Sequence, residues 1–148
     1  MACRQRIGVL NGQVNSSCLF CQDQEETMNH VLIHFPWVWR VWSELLGWWE
    51  ISWAVPSSIH SLLSWWQGYK FNAVEKRLWE AIPFTALWSI WKARNKLKFE
   101  GVQPRWEEFS ELIKVRVALW VKYNIKRVSY TINDFVCNLH LIRGVGNV

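Results

Sequence analysis

The sequence contains no apolar run long enough to cross a membrane. Its longest uncharged stretch, residues 51–69, is interrupted by Pro56 and His60, whereas a spanning helix needs roughly 20 predominantly apolar residues. The opening stretch MACRQRIGVLNGQ carries Arg4 and Arg6 and lacks the apolar core of a secretory signal. We therefore expect an intracellular protein, in the nucleus or the cytoplasm, that has no membrane partner.

The chain also lacks the residue patterns of common catalytic sites. Its acidic residues are scattered, with small groups at 23–26 and 107–111, and neither group resembles the metal-binding acidic cluster of a polymerase or a nuclease. The loop QDQEET, residues 22–27, contains no glycine-rich segment that could hold a phosphate. We therefore expect a protein that is not an enzyme and has no small-molecule substrate.

The cysteines are unevenly distributed along the chain. The 148 residues include four cysteines, of which Cys18 and Cys21 are separated by only two residues. Thiols in intracellular proteins stay reduced, so a close pair favours a metal site over a disulfide.

Tryptophan, in contrast, is abundant. The chain has 13 tryptophans and 51% hydrophobic residues, enough to bury a core within a single domain spanning residues 1–148.

The charge is unevenly placed along the chain. Residues 1–74 hold four Lys/Arg and five Asp/Glu, a net charge of −1, whereas residues 75–148 hold thirteen Lys/Arg and seven Asp/Glu, a net charge of +6. This asymmetry favours an anionic partner, RNA or DNA above all. Solvated faces of ordinary helices explain the same charges about equally well.

The spacing of apolar residues predicts an all-α fold. A helical stripe begins at His30 and meets Pro36, which either kinks the helix or starts a new one. The other predicted helices are one capped by Ser57 or Ser58, one over 73–99 that bends or splits at Pro83, one that starts at Pro104, and one from about Asn133. We expect tryptophan-rich packing between these helices.

Two histidines follow the cysteine pair at a spacing typical of metal sites. The string C-x2-C-x8-H-x3-H contains Cys18, Cys21, His30 and His34. Histidines four apart on a helix project from one face, and two thiolates with two imidazoles are a common ligand set for Zn²⁺. The middle segment is shorter than in a base-reading zinc finger, so we expect a zinc-binding motif within residues 16–42 and no base-reading helix. The alternative is that the cysteines are small buried residues and that His34 lies on the surface or packs without a metal.

Six basic residues in the second half are candidate nucleic-acid contacts: Lys92, Arg94, Lys96, Lys98, Lys114 and Arg116. We expect a helical region over 57–142 to present a basic surface to backbone phosphates, with Trp88 and Trp91 in the core. A stacking platform for single strands is the weaker interpretation, because it needs exposed tryptophans.

The segment SSCLFCQDQEETMNHVLIHFPWVWRVW resembles the zinc-binding domain that follows the reverse transcriptase of plant LINE-type (non-long-terminal-repeat) retrotransposons. The matching positions are Cys18, Cys21, Glu26, Thr27, His30, His34, Val41 and Trp42. The later segments LWSIWKARNKLKF and WEEFSELIKVRVALWVK are similar to tracts that follow in these elements. The resemblance therefore covers residues 5–125.

This resemblance implies a non-catalytic, retrotransposon-derived zinc-binding domain that associates with nucleic acid, present here as a C-terminal fragment of a longer reading frame. In that family the fourth metal ligand is a cysteine at the position of Phe35. Three ligands therefore remain unless His34 replaces the missing one. The alternative is a metal-free helical interaction module, or a decayed retroelement remnant with no present activity.

Overall fold

The protein is all-α over the residues that the structure describes. The structure, a computed structural model, describes residues 17–140 except for 53, 55, 70, 72 and 125–129. Its helices are a short π-helix (His30–His34), α1 (Pro36–Trp48), α2 (Ile59–Gln67), α3 (Ala73–Glu100), α4 (Trp106–Asn124) and α5 (Ile132–Cys137). This confirms the predicted fold class. The single domain spanning 1–148 stays a prediction, since 1–16 and 141–148 lie outside the described residues.

The helix starts follow from local sequence. Helix α1 begins with Pro36 in its first turn, where the absent N–H has no intrahelical partner to lose. Helix α2 is capped by Ser58, whose hydroxyl accepts a hydrogen bond from the N–H of Ser61 at 3.1 Å. Helix α4 begins at Trp106, two residues after the predicted start at Pro104. Helix α5 has a reciprocal capping box between Thr131 and Asp134.

A tryptophan side chain donates to a carbonyl beside the junction of the π-helix and α1. Pro36 has no N–H to offer the carbonyl of Leu32, four residues earlier. The indole Nε1–H of the buried Trp42 donates to that oxygen at 2.8 Å. The carbonyl is thus satisfied although proline interrupts the regular helical pattern.

The same arrangement recurs at Pro83, which lies inside α3 without splitting it. The carbonyl four residues before this proline belongs to Trp79, and the indole Nε1–H of Trp66 donates to it at 2.6 Å. The indole of Trp79 donates in return to the carbonyl of Trp66 at 2.8 Å, and the two rings stack with centroids 4.2 Å apart. This reciprocal pair joins α2 to α3 and explains why proline is tolerated in the helix interior.

Helix α4 packs against three other helices: α1, α3 and α5. The indole of Trp48 at the end of α1 donates to the carbonyl of Phe135 in α5 at 3.0 Å, which joins α1 to α5. Gly101 ends α3 with a φ of +68°, and its N–H donates to the carbonyl of Leu97 at 3.0 Å. A residue with a side chain would be strained in this left-handed conformation, so glycine suits the turn from α3 towards α4.

Candidate metal centre

Cys18, Cys21 and His30 lie together in the structure. Their ligand atoms are all within 4.8 Å of one another, and Cys21 Sγ is 3.4 Å from His30 Nε2. In tetrahedral zinc sites, Zn–S bonds of about 2.3 Å and Zn–N bonds of about 2.0 Å place a sulfur and a nitrogen roughly 3.6 Å apart. The three side chains therefore form a group that could hold a metal ion.

The turn that carries the two cysteines is closed by backbone hydrogen bonds. The N–H of Gln22 donates to the carbonyl of Cys18, and the N–H of Cys18 donates to the carbonyl of Gln24, both at 2.8 Å. Gln22 adopts a φ of +60°, which reverses the chain directly after Cys21. This tight reversal brings the two thiols to one centre.

His30 reaches the thiols from the helix that follows this turn. The hydroxyl of Thr27 accepts the N–H of His30 at 3.0 Å, and the N–H of Phe35 donates to the carbonyl of His30 at 2.7 Å across the π-helical turn. Burial lowers the pKa of His30, the nearby His34 lowers it further, and Glu26 opposes both effects. A lowered pKa favours the neutral form of His30, which is the form that binds metals.

The thiol of Cys18 is also shaped by its surroundings. Cys18 is fully buried, and this burial raises the pKa of its thiol, while the backbone N–H groups of Cys21 and Phe20 oppose the rise. A metal binds the thiolate, so an ion that enters this centre must displace a proton.

A buried ion pair anchors the cysteine turn to α3. Glu26 Oε1 accepts a hydrogen bond from Arg94 Nη2 at 2.7 Å, and Glu26 Oε2 accepts the N–H of Leu19 at 3.2 Å. The two charged side chains are only 3% and 2% exposed. Arg94 also lies over the ring of Trp91, with its Cζ 4.9 Å from the ring centroid. The turn is thus fixed to a helix 68 residues away in sequence.

His34 lies outside the metal-binding group. Its side chain is exposed, and its Nε2 donates to the carbonyl of Pro56 at 2.9 Å. The predicted four-ligand set is therefore reduced to three in this structure. The spacing rule assumed a regular α-helix, whereas this segment is a π-helix, and the Pro56 carbonyl gives the His34 ring another partner.

Phe35 is buried beside His30 in an aromatic cluster. Its ring stacks on Phe20 with centroids 5.2 Å apart and meets Trp106 edge-on at 5.8 Å. Its centroid is 6.2 Å from that of His30. At the position where the resembled family carries a fourth ligand, this chain has an apolar contact between the cysteine turn and α4.

The six predicted nucleic-acid contacts are divided by the structure. Arg94 is buried against Glu26, so its predicted phosphate contact is corrected to a structural ion pair. The Nζ of Lys98 is buried and lies 5.2 Å from the ring centroid of Phe99. Lys114 pairs with Glu111 at 2.7 Å, and its side chain is 13% exposed.

The remaining three, Lys92, Lys96 and Arg116, line one groove between α3 and α4. Lys92 and Lys96 are exposed, and Arg116 is half-buried. Trp88, expected in the core, is instead 53% exposed beside this groove. The helical spacing of Trp88 was compatible with either location, because its neighbours four residues away are Phe84 and Lys92, one apolar and one charged.

Sequence reasoning missed the ion pair of Glu26 and the groove position of Arg105. Glu26 was prominent only as a position that matches the resembled family, and nothing local indicates an arginine partner so distant in sequence. Arg105 lies just before α4, in the segment after Pro104, where its position in space depends on how α3 and α4 pack.

No protein-family model matches the chain, and neither a curated protein nor a solved structure matches it significantly. The resemblance therefore rests on the residues quoted for it. Among the residues that the structure describes, no helix combines the length and the apolar character needed to cross a membrane.

Proposed function

We propose that this chain is a non-catalytic zinc-binding module of the kind that follows retrotransposon reverse transcriptases, and that it associates with nucleic acid inside the cell, in the nucleus or the cytoplasm. The observation that carries the proposal is the convergence of Cys18, Cys21 and His30 on one point. The role of the ion is structural: it joins the cysteine turn to the π-helix.

The donor set favours zinc over a hard cation. Two sulfurs and one imidazole nitrogen suit Zn²⁺, whereas Mg²⁺ and Ca²⁺ select oxygen ligands. Three protein ligands leave one coordination position for water or an external ligand. Glu26 supports the centre from outside, since it holds the backbone of Leu19 within the cysteine turn.

The test of metal binding is the zinc content of protein purified without a chelator. We expect about one zinc per chain, and loss of that zinc in Cys21→Ser. Cys137→Ser is the matched control, because Cys137 is an exposed free cysteine outside the group. Zinc-free wild-type protein, or equal zinc in Cys21→Ser, would contradict the proposal.

Association with nucleic acid is supported by the net charge of +5 and by the basic groove between α3 and α4. Contacts to phosphates release counterions, so we expect binding of an RNA or DNA oligonucleotide to weaken steeply as salt is raised. Binding that is absent at low salt, or that does not respond to salt, would contradict this part.

A second candidate, a metal-free helical interaction module, is favoured by the Phe35 cluster. The contacts of Phe35 with Phe20 and Trp106 hold the cysteine turn against α4 without an ion. If this candidate is correct, the double change Cys18→Ser and Cys21→Ser leaves the melting temperature nearly unchanged. Under the zinc proposal, the same double change lowers it in zinc-loaded protein.

A further inference from the structure

The groove between α3 and α4 combines positive charge with an apolar floor. Four cations line it, Lys92, Lys96, Arg105 and Arg116, against the carboxylate of Glu108. Glu108 is itself 3.8 Å from Arg105 Nη1. The apolar lining includes Val102, Pro104, Phe109 and Leu112. The volume of about 470 Å³ lies within the range of ligand-binding clefts.

An exposed tryptophan lies at the edge of this groove. The ring of Trp88 is contacted by two of the lining cations: Lys92 Nζ lies 4.6 Å and Arg116 Cζ 5.2 Å from its centroid. A half-exposed indole offers a surface on which a nucleobase can stack, and the surrounding positive charge can neutralise the phosphates of the same strand. The charge of the groove excludes a cationic partner and favours an anionic one with flat aromatic parts.

The two cations beside Trp88 are held differently. Arg116 Nη1 donates to the hydroxyl of Ser89 at 2.7 Å, and Ser89 is buried, so the guanidinium is fixed in place. Lys92 is exposed and, among the residues that the structure describes, forms no ion pair; its contact is with the ring of Trp88. A flexible, exposed lysine leaves a ring face readily, because such contacts are weak. Lys92 can therefore move to a phosphate and free the indole for a base.

Exposed aromatic residues continue on both helices. Phe84, four residues before Trp88 on α3, is 69% exposed, and Trp120, four residues after Arg116 on α4, is 44% exposed. Residues four apart lie on the same side of a helix. Aromatic and basic side chains thus follow one another along one side of each helix.

We propose that this groove binds single-stranded nucleic acid, with a base stacked on Trp88 and the flanking phosphates held by Lys92, Lys96 and Arg116. The inference rests on the nucleic-acid part of the proposed function and deepens it by naming the strand form and the contact residues. Duplex bases are already stacked on one another, so Trp88 discriminates for single strands.

The experiment compares two fluorescent probes of equal charge: an oligodeoxythymidine of about twelve nucleotides and an abasic sugar–phosphate chain of the same length. We expect wild-type protein to bind the thymidine probe about tenfold more tightly, the factor expected for one base–aromatic stack. Trp88→Leu should lose this preference and keep salt-dependent binding of both probes. Lys92→Gln with Lys96→Gln should instead weaken both probes and make the salt dependence shallower by about 0.7 per charge.

Trp37→Leu is the matched control. Trp37 also has an arginine near its ring, with Arg40 Cζ 5.1 Å from the centroid, but Arg40 is paired with Glu44 at 3.1 Å, and Trp37 lies on α1, outside the lining of the groove. This variant should retain the tenfold preference. Circular dichroism and thermal melting confirm that each variant is folded before its binding is measured.

The outcomes separate the two proposals. Three results overturn the stacking site and leave the proposed function standing. They are equal affinity for the thymidine probe and the abasic chain, tighter binding of a duplex of the same length, and an unchanged preference for the thymidine probe in Trp88→Leu. No binding of any oligonucleotide at low salt overturns both. Binding of polyglutamate as tightly as the thymidine probe also overturns the stacking site, because it identifies an acidic protein segment as the partner.

Discussion

Two regions of the molecule each lack one group. The junction of α2 with α3 lacks a backbone N–H, and the cysteine turn lacks the fourth ligand of the resembled family. At the junction, Pro83 withholds an N–H from the carbonyl of Trp79, and the indole of Trp66 supplies a hydrogen bond of the same kind. At the cysteine turn, Phe35 stands where the resembled family has a ligand, and an aromatic cluster takes that place. At the junction, one hydrogen-bond donor takes the place of another. At the cysteine turn, apolar packing takes the place of a metal ligand.

This difference bears on how much each region depends on something outside the chain. The tryptophan junction is complete by itself, with two reciprocal hydrogen bonds and stacked rings. The cysteine turn has three ligand atoms for an ion and also two fixed supports, the Glu26–Arg94 pair and the Phe35 cluster. We therefore expect zinc to add stability to the turn without being required for the fold.

The largest expected effect is at the buried ion pair. Glu26→Gln leaves the charge of Arg94 buried without its counterion, which should lower the free energy of unfolding by about 3 to 5 kcal/mol in urea titrations. The control Glu80→Gln removes an exposed partner of Lys76 at 3.9 Å and should change it by less than about 0.5 kcal/mol. Equal effects of the two changes would show that the pair does not anchor the cysteine turn.

The next largest effect is expected when a metal ligand replaces the packed ring of Phe35. Phe35→Cys should destabilise zinc-free protein by about 3 kcal/mol, because a large buried ring is lost. The same variant should bind zinc more tightly than wild type, since it supplies a fourth candidate ligand. Unfolding with and without chelator measures both effects. If added zinc stabilises the variant no more than wild type, position 35 does not face the metal centre.

The tryptophan junction is tested by a double-mutant cycle. Trp66→Phe removes the indole donor and should cost about 2 kcal/mol, because the carbonyl of Trp79 loses its hydrogen bond. In a Pro83→Ala background the alanine N–H can serve that carbonyl, so the same change should cost about 1 kcal/mol less. Equal costs in both backgrounds would show that the indole does not compensate for the proline.

The smallest effect is expected at the turn itself. Gln22 holds a left-handed conformation that glycine adopts without strain, so Gln22→Gly should raise the free energy of unfolding by up to about 1 kcal/mol. Thermal melting measures the change. A marked loss of stability would mean that the Gln22 side chain makes contacts that matter more than its backbone strain.

The sequence was sufficient for features that depend on near neighbours. Helical spacing, helix caps and proline positions are local properties. The structure confirms the helical spacing, selects Ser58 from the two predicted caps, and starts a new helix at Pro36, one of the two predicted outcomes there. The grouping of Cys18 and Cys21 also follows from a short turn.

Features that depend on distant packing could not be read from the sequence. The burial of Arg94 is set by Glu26, and the exposure of Trp88 by the way α4 covers α3. The departure of His34 depends on a π-helical turn and on the carbonyl of Pro56 in another segment. The spacing of four between the histidines therefore predicted a shared site that the structure does not form.

The most direct test of the account is a zinc titration of wild type, His30→Ala and His34→Ala against a competing chelator of known affinity. Cys18, Cys21 and His30 form the group that could hold a metal ion. We predict that His34→Ala binds zinc as wild type does, and that His30→Ala loses binding. The reverse pattern, or loss of zinc in His34→Ala alone, would contradict the three-ligand centre.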